Sequence, residues 1–209
     1  MAAVARTEGT IASFREQLPQ ALGIVGNAVA ADDVERAFAE TRARFGAIDL
    51  VVNAITAKPG GFGGGKLAET LPEAIVPYAA ELVPGIFNML RVGCRVLGEQ
   101  GHGTIVQVTG GSARRGMSGR GIWTSAAFAA RGLSQAAALE AREQGVHVAL
   151  LIVDAVIESE KTASRLTGPA EASTTEEDLA RAIVFLESQS PRGWTHELQI
   201  TPRLDRWVP

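Results

Sequence analysis

The run from Gly103 to Leu139, GTIVQVTGGSARRGMSGRGIWTSAAFAARGLSQAAAL, constrains the fold more than any other stretch. Thr104–Thr109 is a short apolar run of β-branched residues bounded by glycine, the pattern of a strand covered on both faces. Gly110–Gly121 reads as a loop rich in glycine and arginine. A long helix then starts near Trp123. It carries Ala126, Ala127, Ala129, Ala130 and Gly132 on nearly every side, so neighbouring elements can pack very close to it.

Other strand and helix signals alternate around this segment. Ala2–Ala5 is a strand candidate, and Thr10–Leu18 places Ile11, Phe14 and Leu18 at helical spacing before Pro19 closes the helix. Ala21–Val25 is a second apolar run. Asp32-Asp33-Val34-Glu35 reads as a capping box opening a helix with Val34, Phe38, Thr41 and Phe45 on one face and Gly46 as its stop. Ile48–Ala54 is apolar almost throughout and is expected to be a central strand. Thr56–Lys66 is a glycine-rich loop, followed by a helical region over Pro72–Leu97 with bends at Pro77 and Pro84. Val146–Val153 is another apolar strand, and Asp154–Ser173 an extended loop with one helical piece at Glu160–Leu166. Thr174-Thr175-Glu176-Glu177 caps a last helix whose inner face is Leu179, Ile183 and Leu186. Glu197–Ile200 is a final strand, ahead of a tail, Pro202–Pro209, that carries Trp207. Strands alternating with helices at this spacing predict an α/β fold, a parallel sheet covered on both faces.

A chain of 209 residues with 46% hydrophobic content can bury one core, so a single domain over residues 1–209 is expected. A net charge of −3 gives no electrostatic reason to expect nucleic acid or an anionic membrane. Cys94 is alone and lies in an apolar helical pattern, which suits a reducing compartment. With no secretory leader pattern and no apolar run of membrane-spanning length, the expected location is the cytoplasm.

Several segments together resemble the short-chain dehydrogenase/reductase (SDR) superfamily. DDVERAFAETRARFGAIDLVVNA is similar to the family's third helix and fourth strand, and Val52-Asn53-Ala54-Ile55 keeps half of its Asn-Asn-Ala-Gly motif. Gly101-His102-Gly103-Thr104-Ile105-Val106 matches the entry to the fifth strand. Trp194-Thr195-His196-Glu197-Leu198, followed by Asp205-Arg206-Trp207, is similar to endings in one branch. The resemblance implies a Rossmann-like, doubly wound, mainly parallel sheet that lacks the family's first strand and helix. That strand would be central, so Ala2–Ala5 is expected to close the gap beside Ile48–Ala54, or else a partner chain supplies the missing element.

The resemblance also locates departures. The TGxxxGxG turn that cradles a dinucleotide pyrophosphate has no counterpart ahead of Ile11. The family's serine aligns with Gly110, two residues from Ser112; its tyrosine aligns with Trp123 and its lysine with Ala127; its helical asparagine aligns with Leu82, Asn88 being off register. Tyr78 is the only tyrosine, and Lys58, Lys66 and Lys161 the only lysines, so no Tyr-x-x-x-Lys pair exists in any register. Hydride transfer to a carbonyl leaves an alkoxide that must be protonated, and indole has no titratable oxygen. No catalytic residue by the family motif and no dinucleotide cofactor are therefore expected, with Asn53 and Ala54 as a residual cofactor-binding motif.

Other constellations remain open from sequence. Gly60-x-x-x-x-Gly65-Lys66 matches most of a phosphate loop, but Leu67 stands where Ser or Thr must hold magnesium. Arg114, Arg115 and Arg120 sit at the carboxyl end of the sheet, as an anion site or as a solvated basic loop. Asp154 is a base facing the cleft or a cap for the next segment. Ser112 with His147 or Asp154 lacks a nucleophile elbow, and His147 reads as a core histidine. His102, His196 and Cys94 show no metal spacing, so no metal is expected. Trp123 reads as a plug.

Three functions follow as expectations. The first is a non-catalytic subunit, a homo-dimer or tetramer, or a hetero-oligomer with an active SDR; the resemblance implies assembly through the Pro72–Leu97 and alanine-rich helices and through the last helix and strand. The second is a cofactor-independent cyclase, isomerase or lyase that takes a small molecule in the old substrate cleft with Ser112, Asp154, Arg114 and Arg115. The third is an NAD(P)-dependent oxidoreductase.

Overall fold

All eight residues of the strand Val146–Val153 are buried, and the rest of the sheet is arranged around that run. The computed structural model describes residues 1–56, 65–166 and 168–205. Lys58, the Gly60 end of the phosphate-loop motif, Arg206 and Trp207 lie outside the described residues. In chain order the elements are β1 (Ala2–Ala5), α1 (Glu8–Gln17), β2 (Leu22–Val25), α2 (Ala31–Phe45), β3 (Leu50–Asn53), α3 (Val83–Gln100), β4 (Gly103–Gly110), α4 (Gly121–Ala141), β5 (Val146–Val153), α5 (Glu176–Glu187) and β6 (Glu197–Ile200). Every strand pair is parallel. The fold is Rossmann-like α/β, as the alternation of periods requires.

Two faces of β3–β6 hold different cores. Val34 and Phe38 of α2, Ile86 and Leu90 of α3, and Ala126 and Ala130 of α4 gather on Val51, Ile105, Val146 and Val148. On the other face Val106, Ala149, Leu151 and Val153 receive Leu186 of α5, with Leu179 and Ile183 half-buried beside it. Alternate strand residues thus feed opposite layers. Helix α4 comes close because its inward residues are small. Helix α5 opens on a complete capping box, Thr175 with Asp178, as the Thr-Thr-Glu-Glu run predicts.

The sheet is broken, and here two expectations fail. The strands form a pair β1-β2 and a separate four-stranded sheet β3-β4-β5-β6, so β1 does not close the gap beside β3 and β3 is an edge rather than a central strand. The reason is visible in the connections. Helix α1 packs on β2 through Ile11 and Arg15 at Gly23, and β1 takes all its ladder partners from β2.

Smaller departures have local causes. Helix α2 starts at Ala31 with Ala30 as an uncapped N-cap residue. Asp33, one turn in, reaches back instead to the Asn27 N–H at 2.9 Å, a bond that together with Arg36 lowers its pKa below the usual value. Phe45 ends exposed, with the Arg44 guanidinium 5.1 Å over its ring. The Pro72–Leu97 region is not one bent helix: it divides into a 3-10 turn (Pro72–Ile75), a π-helical turn (Tyr78–Leu82) and α3. Pro77 and Pro84 sit at the joints, where a missing N–H costs least.

Candidate functional site

The carboxyl ends of β4 and β5 meet at a glycine. Strand β4 ends in Gly110, and a 3-10 turn, Gly111–Ala113, follows. A Cβ on Gly111 would collide with the Asp154 carboxylate just past β5. Only glycine lets the backbone and that carboxylate approach so closely.

Asp154 is held in that position. Arg115 donates from Nη1 to Oδ2 at 2.5 Å and from Nη2 to Oδ1 at 3.3 Å, a forked pair with both side chains largely buried. Gln199 of β6 lies 3.5 Å from the same Oδ2. Asp154 is therefore neither the free base nor the cap that the sequence left open, because its bonds go to side chains on two other elements. A substrate proton would have to displace a charge-assisted pair.

The neighbouring arginines are also committed. Arg131 of α4 clamps Glu197 with two bonds of 2.7 Å, Gln135 adds one at 2.9 Å, and Arg114 lies 3.5 Å from the same carboxylate. Arg120 reaches the Met117 sulfur at 3.9 Å. The basic cluster is thus neither a solvated loop nor an open anion site: two of its three arginines tie the β4–α4 loop to Asp154 and Glu197.

Trp123 lies one turn into α4, half-buried against the main core. Its ring meets Tyr78 edge to face, with centroids 6.1 Å apart at 85°. Tyr78 and Leu82, four residues on, are both buried on the π-helical turn. Ala127, one turn beyond Trp123, is also buried, so a lysine there would project into the interior. Ser112 is buried beside this region at 2% exposure. Trp123 adds its ring to the apolar packing of that core.

Asn53 is 1% exposed and locked: its Nδ2 donates to Gln107 Oε1 at 2.6 Å, and Gln107 Nε2 donates to the Val108 carbonyl at 2.9 Å. Ala54 is exposed beyond the strand end. Asn88 sits a turn and a half past Leu82 and donates to the Ala28 and Val29 carbonyls at 3.0 Å, joining α3 to the loop after β2. Its work is structural.

His147 is a core histidine, as its apolar strand implies. It stacks on Trp194 at 5.1 Å and bonds the Thr195 carbonyl at 3.0 Å, while the ring lies buried against the Leu186 backbone. Burial lowers its pKa, against the bond to Thr195, and the neighbouring His196 lowers it further. His196 bonds Val148 and His102 lies near Asp49, and no group of three or more metal-ligating side chains forms among the described residues. Cys94 lines an open groove of about 480 Å³ with Arg95, Glu99 and Glu140. Burial, with the Glu140 charge, raises its thiol pKa to about 11, which favours the thiol over the thiolate.

Glu197, Arg131, Gln107 and Gln199 escaped the sequence reading. Gln107 alone carried a signal, as a lone amide inside TIVQVT.

The sequence matches the family model described as short chain dehydrogenase across residues 1–166. The chain belongs to the short-chain dehydrogenase family. Solved structures agree in fold. A short-chain dehydrogenase from Rhodopseudomonas palustris is 20% identical with a TM-score of 0.76, over 96% of this chain and 85% of that one. An alcohol dehydrogenase from the archaeon Thermococcus sibiricus, complexed with 5-hydroxy-NADP, is 21% identical with a TM-score of 0.81, over 100% and 88%. ElxO with NADP bound is 17% identical with a TM-score of 0.82, over 95% and 86%. No curated protein matches the sequence significantly. Among the described residues no helix is long and apolar enough to cross a membrane.

Proposed function

We propose that this short-chain dehydrogenase is a non-catalytic, cytoplasmic subunit that assembles with itself or with an active member of the family. The observation that carries the reading is the indole of Trp123 lying edge-on to Tyr78, with buried Ala127 one turn on, at the residues matched to a proton donor and an ammonium group. Neither side chain moves a proton. The polar groups beside them are engaged elsewhere, Asp154 with Arg115 and Glu197 with Arg131.

The family's dinucleotide fits these residues poorly. A pyrophosphate needs free backbone N–H groups at a helix N-terminus. At α1 the Thr7 hydroxyl already accepts from the Thr10 N–H, and Glu8 lies in the first turn. At α2 the first turn carries Asp32 and Asp33. Each acid opposes an anion there, and no chemical step is derived through the cofactor.

Assembly is supported by apolar surface on the two long helices: Phe87 on α3, and Phe128 and Leu139 on α4, are exposed. Val184 and Phe185 of α5 are exposed as well. Isothermal titration with NADH and NADPH, together with native mass spectrometry of protein from its host, tests the reading. The expected result is no saturable heat and a mass of two or more chains. Saturable micromolar binding of either nucleotide, or a solitary monomer, overturns it.

A further inference from the structure

We infer that the turn between α5 and β6, residues 188–196, is an acid-released latch: it is shut over neutral His147 and opens when that imidazole takes a proton. The proposal stands on one cluster of groups at the start of β5. It is independent of the non-catalytic reading and of any assembly.

Three consecutive residues fasten the turn. Trp194 lies flat on the His147 ring, with centroids 5.1 Å apart and planes 5° from parallel. Thr195 is held from two sides. Its N–H donates to Gln189 Oε1 at 2.7 Å and its hydroxyl accepts from Gln189 Nε2 at 2.8 Å, while its carbonyl accepts from His147 Nε2 at 3.0 Å. A carbonyl can only accept, so the neutral ring carries its proton on Nε2. His196 reaches back to the Val148 carbonyl at 3.1 Å, and its own carbonyl accepts from the Leu150 N–H at 2.9 Å. Gln189 belongs to the turn itself, so the ties to β5 are the bond and the stack at His147 and the two bonds of His196.

The surroundings of the ring suit an uncharged imidazole. His147 alternates with Ala149, Leu151 and Val153, which line the core under α5, and it is 1% exposed. From α5 the Leu186 backbone lies against it, and from β4 the partner in register is the uncharged Thr104. From β6 comes a second titratable group, His196, with ring centroids 5.8 Å apart. The nearby charges are placed elsewhere: Glu197 is clamped by Arg131, Asp49 lies beside His102, and Glu187 and Arg192 are exposed. An imidazolium here would gain from the carbonyls and the indole face but lose its hydration and meet His196. Burial outweighs the bonds and holds the folded pKa below the ordinary 6.5.

Trp194 couples the proton to the turn. Its indole covers one face of the buried ring, so hydrating a cation there requires that indole to lift. Thr195 follows it in the chain, and the Nε2 bond breaks with the same movement. Strand β6 stands at the edge of the four-stranded sheet and is half-buried, so this opening costs less than global unfolding. The open turn returns His147 to water and to its ordinary pKa. Each pH unit below about 6.5 therefore favours the open turn by up to about tenfold, until the folded midpoint is reached.

Native-state hydrogen exchange of the 209-residue chain tests this, read between about pH 8 and pH 5 in urea below the global transition, together with NMR of the His147 ring. The amides of Thr195 and of β6 should open in a way that barely depends on urea. Their protection should fall by up to about tenfold per pH unit below about pH 6.5, over the range in which the ring titrates. His147→Gln keeps a donor for the Thr195 carbonyl and should remove that pH dependence. Protection that is independent of pH, a ring midpoint at or above about 6.5, or opening as steep in urea as that of β5 at every pH overturns the proposal. Retained pH dependence in His147→Gln overturns it too. Should that variant fail to fold, the exchange and the ring titration of the unmodified chain decide alone.

Discussion

Strand β5 and the β1-β2 pair are built from similar apolar letters, yet they have different fates. Every residue of VHVALLIV is buried between two helical layers. In AAVA and LGIV, Ile24 alone is buried, and Val4 and Val25 stay exposed. Composition sets the wish to be buried, whereas neighbours on both edges and both faces decide whether it is met. Four-stranded pairing gives β5 those neighbours. The β1-β2 pair has no third strand beside it among the described residues, and its ties to the rest run through α2, whose Val34 and Phe38 sit in the main core, and through the Asn88 bonds to the Ala28 and Val29 carbonyls.

The largest effect that could break this contrast is in β5. Leu151→Ala should cost about 4 kcal/mol, since a fully buried leucine between well-packed layers leaves a cavity that closes poorly. Urea unfolding measures it, and a loss below about 1 kcal/mol would mean that the four-stranded half is no firmer than the other. Next, Arg115→Met leaves the Asp154 carboxylate without its forked partner. The loss should be about 2 kcal/mol, below that of a fully buried pair because both side chains keep some solvent.

His147 gives a smaller effect with a defined sign. Its pKa in the folded protein lies below the ordinary value near 6.5, with burial as the main cause. Below that value the unfolded chain binds a proton that the folded one refuses. Stability is therefore complete above about pH 6.5 and falls as pH drops from there towards the folded pKa, by at most about 1.4 kcal/mol per pH unit. His147→Gln should flatten that part of the profile. Smallest in global effect is Ile11→Ala in α1. It should leave the unfolding midpoint within about 0.5 kcal/mol while hydrogen exchange in residues 2–25 accelerates at least tenfold, because that unit opens on its own. A large global loss would show that the two halves unfold as one.

Most elements were legible because apolar period and glycine punctuation act locally. Val146–Val153 and Glu197–Ile200 carry the boundaries that their letters suggest, and the Thr175 box needs only neighbours three residues apart. What failed was long-range. Nothing in Ala2–Ala5 or Ile48–Ala54 states which strand stands beside which, so the order of the sheet was invisible. The site divides the same way. Asp154 and Arg115 were both singled out, yet their pairing spans 39 residues and depends on Gly111 letting the chain pass. Asp33 was misread because a helix N-terminus looks alike whether its carboxylate serves its own first turn or the loop before it.

The Glu197 clamp has a consequence for the end of the chain. Burial pushes this carboxyl up, but bonds from Arg131 and Gln135 and the charges of Arg131 and Arg114 hold it below its usual value. Strand β6 is only half-buried along its length, so the Glu197 clamp adds to the ladder and to the packing of Leu198 and Ile200 that hold it on the sheet. His147, on β5 three residues ahead of the ladder to β6 and bonded to the Thr195 carbonyl just before that strand, takes up a proton on the same side of neutrality. Acid thus works on both sides of one hem: one group loses the charge that stitches β6 to α4, and the other gains a charge beneath Trp194.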